Sequence, residues 1–149
     1  MIIKNLMKVP IFKRLIPSVF KKYIFFSNNY FKEKKIEGIK YLLDTRHLID
    51  RNFYLRENYE DDLFFLAKDI MIRNKVNYFL DIGSCWGIYS LRLSKTKKLK
   101  IMSFDPIYRN ISRLKQMIKI NNLKNITTYH TALGDKIGKV KFYGLEEFT

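Results

Sequence analysis

From residue 58 onward the apolar positions alternate between two spacings. Leu63, Leu66, Ala67, Ile70 and Met71 recur three and four apart, predicting an amphipathic helix with these residues on its core face. Asn58 is its predicted N-cap. Glu60, Asp61 and Asp62 crowd a first turn where the helix dipole favours anions, and Arg73 and Lys75 close the helix with the opposite charge. A short apolar run over 78–82 then predicts a strand, followed by a turn over 83–87 and a helix over 88–95. Beyond these the pattern predicts a strand over 99–104, a helix over 107–121 and a strand over 126–132. Strands separated by helices of this length imply parallel βαβ units with right-handed crossovers, hence an α/β fold. Residues 134–138 read as a turn into a last strand over 139–143, with Val140 and Phe142 on one face.

The N-terminal third has a different texture. Ile11/Phe12, Leu15/Ile16, Val19/Phe20 and Tyr23/Ile24 recur every four residues with Lys13/Arg14 and Lys21/Lys22 between them, a helical pattern with a basic face. Pro17 is expected to kink or restart that helix. Such a segment either packs on the domain as an accessory helix or lies on an anionic membrane surface, giving residues 1–26 a peripheral membrane role. Residues 27–58 are polar, aromatic-rich and weakly periodic, with one short strand expected over 41–43. The chain therefore divides into an accessory segment, 1–57, and a domain, 58–149.

Composition narrows the class. The 149 residues carry 29 Lys and Arg against 14 Asp and Glu, a net charge of +15, with 47% hydrophobic residues and one Cys. These values exclude a disordered tail, a collagenous repeat and a disulfide-stapled module. Cys85 has no intrachain partner, and one Cys with two His cannot assemble a four-ligand zinc site, so no metal is expected. Sparse cysteine fits a reducing, cytoplasmic setting. No run of about 18 apolar residues is present to span a bilayer as a helix.

The positive charge invites a nucleic-acid partner, since Lys and Arg that neutralise phosphates supply non-specific affinity. Translation of an AT-rich genome, rich in Lys, Ile, Asn, Phe and Tyr, explains the same number. Its distribution is more informative. Residues 1–26 hold six basic and no acidic side chains, and 91–125 hold ten basic residues against Asp105 alone. Within the second stretch, Arg92, Lys95, Lys97, Lys98 and Lys100 form a candidate phosphate-facing patch.

The strongest chemical signal is Asp81-Ile-Gly83-Ser84-Cys-Trp-Gly87, where an apolar strand turns into a helix. Gly83 permits a sharp turn and close approach of a ligand to the backbone, and Gly87 lets the helix start close to the strand. A dinucleotide fingerprint needs glycine at position 85, which is Cys, and a P-loop needs Lys after its last glycine, where Ile88 stands. A carboxylate at Asp81 also repels pyrophosphate but attracts a ligand bearing ammonium and sulfonium charge. Asp105, in Phe104-Asp105-Pro106 at the tip of the next strand, lies 22 positions after Gly83. That is close to the spacing of about 20 at which an acid meets a ribose diol.

Residues from about 59 to 143 resemble the N-terminal half of the FkbM-type S-adenosylmethionine-dependent methyltransferases. The resemblance rests on Tyr59-Glu60, on Phe79-Leu-Asp-Ile-Gly-Ser-Cys-Trp-Gly-Ile-Tyr-Ser90, on Phe104-Asp-Pro106 and on Ala132-Leu-Gly-Asp135 with Gly138 and Phe142-Tyr143. It implies a Rossmann-like class I methyltransferase sheet, S-adenosyl-L-methionine as cofactor and O-methylation of a hydroxyl on a sugar or other small molecule. Carried across, Asp81, Gly83, Ser84 and Gly87 shape the methionine-and-ribose side of the pocket. Asp105 takes the ribose hydroxyls, Ile107 and Ala132 border the adenine, and Glu60 reaches the methionine moiety. Ser84-Cys85 and Asp105 depart from the family's usual Ala-Asn and Glu. Cys85 is expected to be a small turn residue rather than a nucleophile.

No general base stands out. His130 is expected as a half-buried histidine near the end of the third strand. The motif spacing accommodates three parallel strands and a hairpin strand, and the family's later Lys-x-Asp-x-Glu-Gly-like motif does not occur. The chain is therefore expected to be a fragment holding the cofactor half and little of the acceptor half. The competing function is a nucleic-acid-binding or RNA-modifying module using the lysine-rich surface.

Overall fold

The computed structural model describes residues 9–27 and 30–139. The predicted last strand over 139–143 falls almost entirely outside them. A helix, α1 (Pro10–Ser27), leads into an antiparallel hairpin, β1 (Phe31–Ile36) and β2 (Ile39–Asp44), and a second helix, α2 (Leu48–Arg56). The remainder alternates: α3 (Asp61–Arg73), β3 (Tyr78–Ile82), α4 (Ile88–Leu93), β4 (Lys100–Phe104), α5 (Tyr108–Ile120) and β5 (Ile126–Tyr129). Strands β3, β4 and β5 form a parallel sheet in that order, with Phe79 beside Ile101 and Ile101 beside Ile126. The fold is α/β, as the strand–helix alternation predicts, and Rossmann-like, as the motif resemblance implies.

The hairpin replaces the single short strand expected over 41–43. Its two-residue turn is Glu37-Gly38, both with positive φ (49° and 77°), the conformation whose twist matches the flanking strands. Gly38 also sits where an added Cβ would meet Lys95 Nζ at 2.4 Å, while that ammonium donates to the Glu37 carbonyl at 2.6 Å. On β2, Tyr41 and Leu43 are fully buried with Phe53, Trp86, Leu91, Leu114 and Met117. One core thus joins the hairpin and α2 to α4 and α5. Tyr41, Phe53 and Trp86 pack as a triangle of rings with centroids 5.0–6.1 Å apart.

Charged residues lock this junction. Arg113 of α5 lies over the Trp86 ring at 4.8 Å, pairs with the buried Asp50 of α2 and donates from Nε to the Leu42 carbonyl at 2.7 Å. Burial raises the Asp50 carboxyl above its ordinary value despite the opposing pull of Arg113. Asp44 moves the other way: burial opposes its ionisation, yet hydrogen bonds and charge from Arg46 hold it below the usual range.

Pro17 lies inside α1, which continues through it. Two details of α3 depart from expectation. The N-cap of α3 is Glu60, in a left-handed conformation with φ of 48°, rather than Asn58. Its buried residues are Phe64 and Met71, whereas Leu63, Leu66 and Ile70 are exposed. Arg92 explains that rotation. Its guanidinium lies 3.7 Å from the Phe64 ring centroid and bonds Asp61 at 3.0 Å and the Tyr59 carbonyl at 3.1 Å, fixing which side of α3 faces α4.

Among the described residues, helices cover one side of the parallel sheet. Phe79, Ile101 and Ile126 pack with Phe64, Met71, Leu93 and Leu99. Tyr78, Leu80, Ile82, Thr127 and Tyr129 point the other way and are exposed. Helix α1 touches the rest through Phe20, stacked on Tyr54 of α2 with centroids 5.6 Å apart.

Candidate cofactor site

The carboxyl ends of β3 and β4 converge on the glycine turn. Gly83 and Ser84 both donate to the Phe104 carbonyl at 2.9 Å, so the turn folds over the tip of the adjacent strand. Gly83 has φ of 72°, and a Cβ built there meets nothing within 4 Å, leaving the backbone open to an approaching group. Gly87, with φ of 81°, is required for packing. A Cβ there would lie 2.4 Å from Leu114 Cδ1, so α4 begins against α5. Cys85 adopts φ of 49°, is exposed, and contributes its backbone N–H rather than its thiol.

That N–H donates to Asp105 Oδ2 at 2.8 Å, while Asp105 Oδ1 accepts from the Ile107 backbone at 2.8 Å and the Asn110 side chain at 3.1 Å. The carboxylate of the second strand tip is thus buried and ties three points: turn, strand end and start of α5. A carboxylate offers about four lone-pair sites, so roughly one remains for a ligand hydroxyl. Ile107 is the N-cap of α5, with its side chain exposed beside this carboxylate.

Asp81 turns toward α4. Its Oδ2 accepts from the Ser90 hydroxyl at 2.5 Å and backbone N–H at 3.2 Å, and the same hydroxyl meets Ser103 Oγ at 2.6 Å. Burial raises the Asp81 carboxyl above its ordinary value, only partly offset by the Ser90 bonds, and the nearby Asp105 charge adds to the rise. Ser84 presents the complementary anomaly: its Oγ is buried without a hydrogen-bond partner.

The remaining sequence-predicted residues are arranged less tightly. Glu60 accepts from the Tyr89 hydroxyl at 2.8 Å, and burial together with that bond pushes the phenol up to about 12. Ala132 is exposed, three residues beyond the end of β5, where no strand continues. His130 is likewise past the strand and exposed rather than half-buried; its Nε2 meets the Pro106 carbonyl at 2.9 Å and its ring abuts Tyr108. The proposed phosphate patch loses two members. Arg92 is buried in ion pairs and Lys95 is committed to the hairpin turn, leaving Lys97, Lys98 and Lys100 exposed.

Sequence reasoning missed the Asn110 tie, the Ser90–Ser103 pair and the neighbouring cleft. The amide at Asn110, in the first turn of α5, was an available signal for a group that caps back onto Asp105. The cleft, of about 800 Å³, lies between the hairpin and α5 and shares Cys85 and Trp86 with the turn. Asp44, His47, Tyr108 and Arg109 are among its walls, with His47 Nε2 3.7 Å from Asp44 Oδ2. Among the described residues no cluster of His, Cys, Asp or Glu is arranged to hold a metal ion.

No protein-family model matches the chain, and no curated protein matches it. Solved structures do. TYW2 from P. horikoshii, in complex with MeSAdo, is 18% identical with a TM-score of 0.51, over 74% of this chain and 39% of that one. TYW2 from M. jannaschii, in complex with AdoMet, is 17% identical with a TM-score of 0.49, over 66% and 42%. A P. abyssi tRNA (uracil-54, C5)-methyltransferase, in complex with S-adenosyl-L-homocysteine, is 16% identical with a TM-score of 0.41, over 67% and 24%. The chain therefore spans less than half the length of each of these structures.

Proposed function

We propose that this chain is the cofactor-holding part of an S-adenosyl-L-methionine-dependent methyltransferase. The observation that carries the reading is the coupling of the Asp81–Gly87 turn to Asp105 through the Cys85 N–H, which builds one binding edge from two parallel strand tips. A fold shared with a TYW2 structure containing MeSAdo supports a ligand of the adenosyl class. The open Gly83 and orphan Ser84 hydroxyl fit such a group.

In this reading Asp105 uses its remaining acceptor capacity for a ribose hydroxyl, with Ile107 and Ala132 beside the base. Gly83 and Ser84 face the polar end, Gly87 sets the turn, and Asp81 and Glu60 supply negative potential toward the ammonium and sulfonium. The bound cofactor supplies an activated methyl group. The protein's own residues bind it, orient it and hold water out, since in-line transfer depends on alignment. The finer assignment, FkbM-type O-methylation of a sugar or small-molecule hydroxyl, rests on the motif resemblance. The cleft beside Cys85 is where such an acceptor would enter, and the open face of the sheet is where the rest of a larger domain would pack.

Titration calorimetry with S-adenosyl-L-homocysteine tests the site. Micromolar-range binding is expected, weakened at least about tenfold in Gly83→Val, which fills the open approach, and in Asp105→Asn, which removes the charge. Equal affinity in wild type and both variants would remove the site assignment.

A second reading, an RNA-modifying module, draws on the exposed Lys97, Lys98 and Lys100. These precede or open β4, whereas the glycine turn lies at the carboxyl ends of the strands, about 17 Å away along a five-residue strand. RNA retention that falls steeply with salt and is lost when the three lysines become glutamine would favour it.

A further inference from the structure

Helix α1 carries an apolar stripe that the domain does not use. Positions four apart in a helix advance by only about 40°, so Ile11, Leu15, Val19 and Tyr23 form one slowly winding row. Each is more than half exposed. Docking is through a neighbouring part of the surface, where Phe20 stacks on Tyr54. The same helix presents Lys21 and Lys22 to solvent, and residues 1–26 hold six basic and no acidic side chains. A row of exposed Ile, Leu, Val and Tyr beside unopposed lysines has a defined complement: an apolar layer under a sheet of negative charge.

We propose that α1 is a membrane-surface helix that seats the protein in-plane on an anionic lipid bilayer, independently of the cofactor site. The helix does not cross: among the described residues none is long and apolar enough to span a membrane. Ile11, Leu15, Val19 and Tyr23 enter the boundary between headgroups and acyl chains, while the lysines meet lipid phosphates and carboxylates. A net charge of +15 selects against a second copy as the occupant, because two such faces brought together repel. Phe20 remains on Tyr54, so the domain is carried on the surface rather than released from it.

The test is sedimentation of the full 149-residue chain with vesicles. Binding is expected to phosphatidylcholine vesicles containing about 30% phosphatidylserine, falling several-fold in about 0.5 M NaCl, with pure phosphatidylcholine retaining little. Leu15→Glu with Val19→Glu is expected to reduce binding at least about tenfold without changing the melting temperature, since both positions are exposed. A second variant, Lys21→Gln with Lys22→Gln, keeps the stripe and is expected to bind several-fold more weakly. Absence of binding to the anionic vesicles, equal binding to both compositions, or full binding by either double variant would overturn the proposal. So would sedimentation velocity showing a wild-type dimer that the Leu15→Glu/Val19→Glu chain loses.

Discussion

The two faces of the parallel sheet are built from the same short strands yet live in different solvents. On one face Ile101 is 1% exposed, packed with Phe64 and Met71 of α3 and Leu93 of α4; on the other Leu80 and Ile82 are 51% and 62% exposed. Parallel sheets are ordinarily covered on both sides, and their strands accordingly read as near-continuous apolar runs. Tyr78-Phe79-Leu80-Asp81-Ile82 is such a run, with Asp81 as its polar interruption. The composition of the strands therefore prepares two buried faces, and the helices described here supply one. Large exposed apolar patches of this kind mark interaction surfaces.

The comparison breaks most visibly in stability. Ile101→Ala is expected to cost about 3 kcal/mol by chemical denaturation, because a buried isoleucine loses its contacts and leaves a cavity, whereas Leu80→Ala stays within about 0.5 kcal/mol. Equal losses would mean that the open face is covered in solution. Next in size, Gly87→Ala is expected to cost about 2 kcal/mol, combining left-handed strain with a methyl driven into Leu114. Leu80→Lys with Ile82→Lys should change stability little but reduce binding of an apolar dye such as ANS, leaving the share held by the exposed row on α1, and raise solubility; unchanged dye binding would place the sticky surface away from the sheet.

The smallest effect concerns Asp81 on the covered face. Its folded carboxyl is raised above the ordinary value of 3.8, so between those two values the folded state keeps a proton the unfolded state has released. Stability contributed by this group therefore falls as pH rises through that window and is level above it. Asp81→Asn is expected to remove that slope, melting higher than wild type at neutral pH and equally below the window. A variant that melts lower at neutral pH would show that the charge on Asp81 is satisfied by its serine partners.

The strand–helix alternation was legible because each element announces itself locally. Strand β3 spans Tyr78–Ile82 as expected, and α5 and β4 differ from expectation only at their ends. The hairpin was hidden because β1, Phe-Lys-Glu-Lys-Lys-Ile, buries Ile36 alone, and the turn signal Glu37-Gly38 is weaker than the Asn-Gly that forms the same turn. Helix α2 was hidden because Asp50 and Arg51 are buried within it, which no apolar periodicity reveals. On α3 two apolar faces competed, and the interaction of Arg92 with Phe64, a contact between residues 28 apart, decided between them. At the site, glycine and aspartate spacing identified the turn and strand tip. Which atoms already had partners depended on backbone geometry that spacing does not encode.

One side chain also sets a clock. Asp105 holds the amides of Cys85 and Ile107 on its two oxygens, so neither proton reaches solvent unless the carboxylate swings out or its partners leave. Hydrogen exchange at both is then gated by a common opening, and the turn and the first residues of α5 breathe as a unit rather than as two loops. A ligand arriving at this edge finds the turn already arrested, with its ordering completed when the chain folded rather than at the moment of encounter.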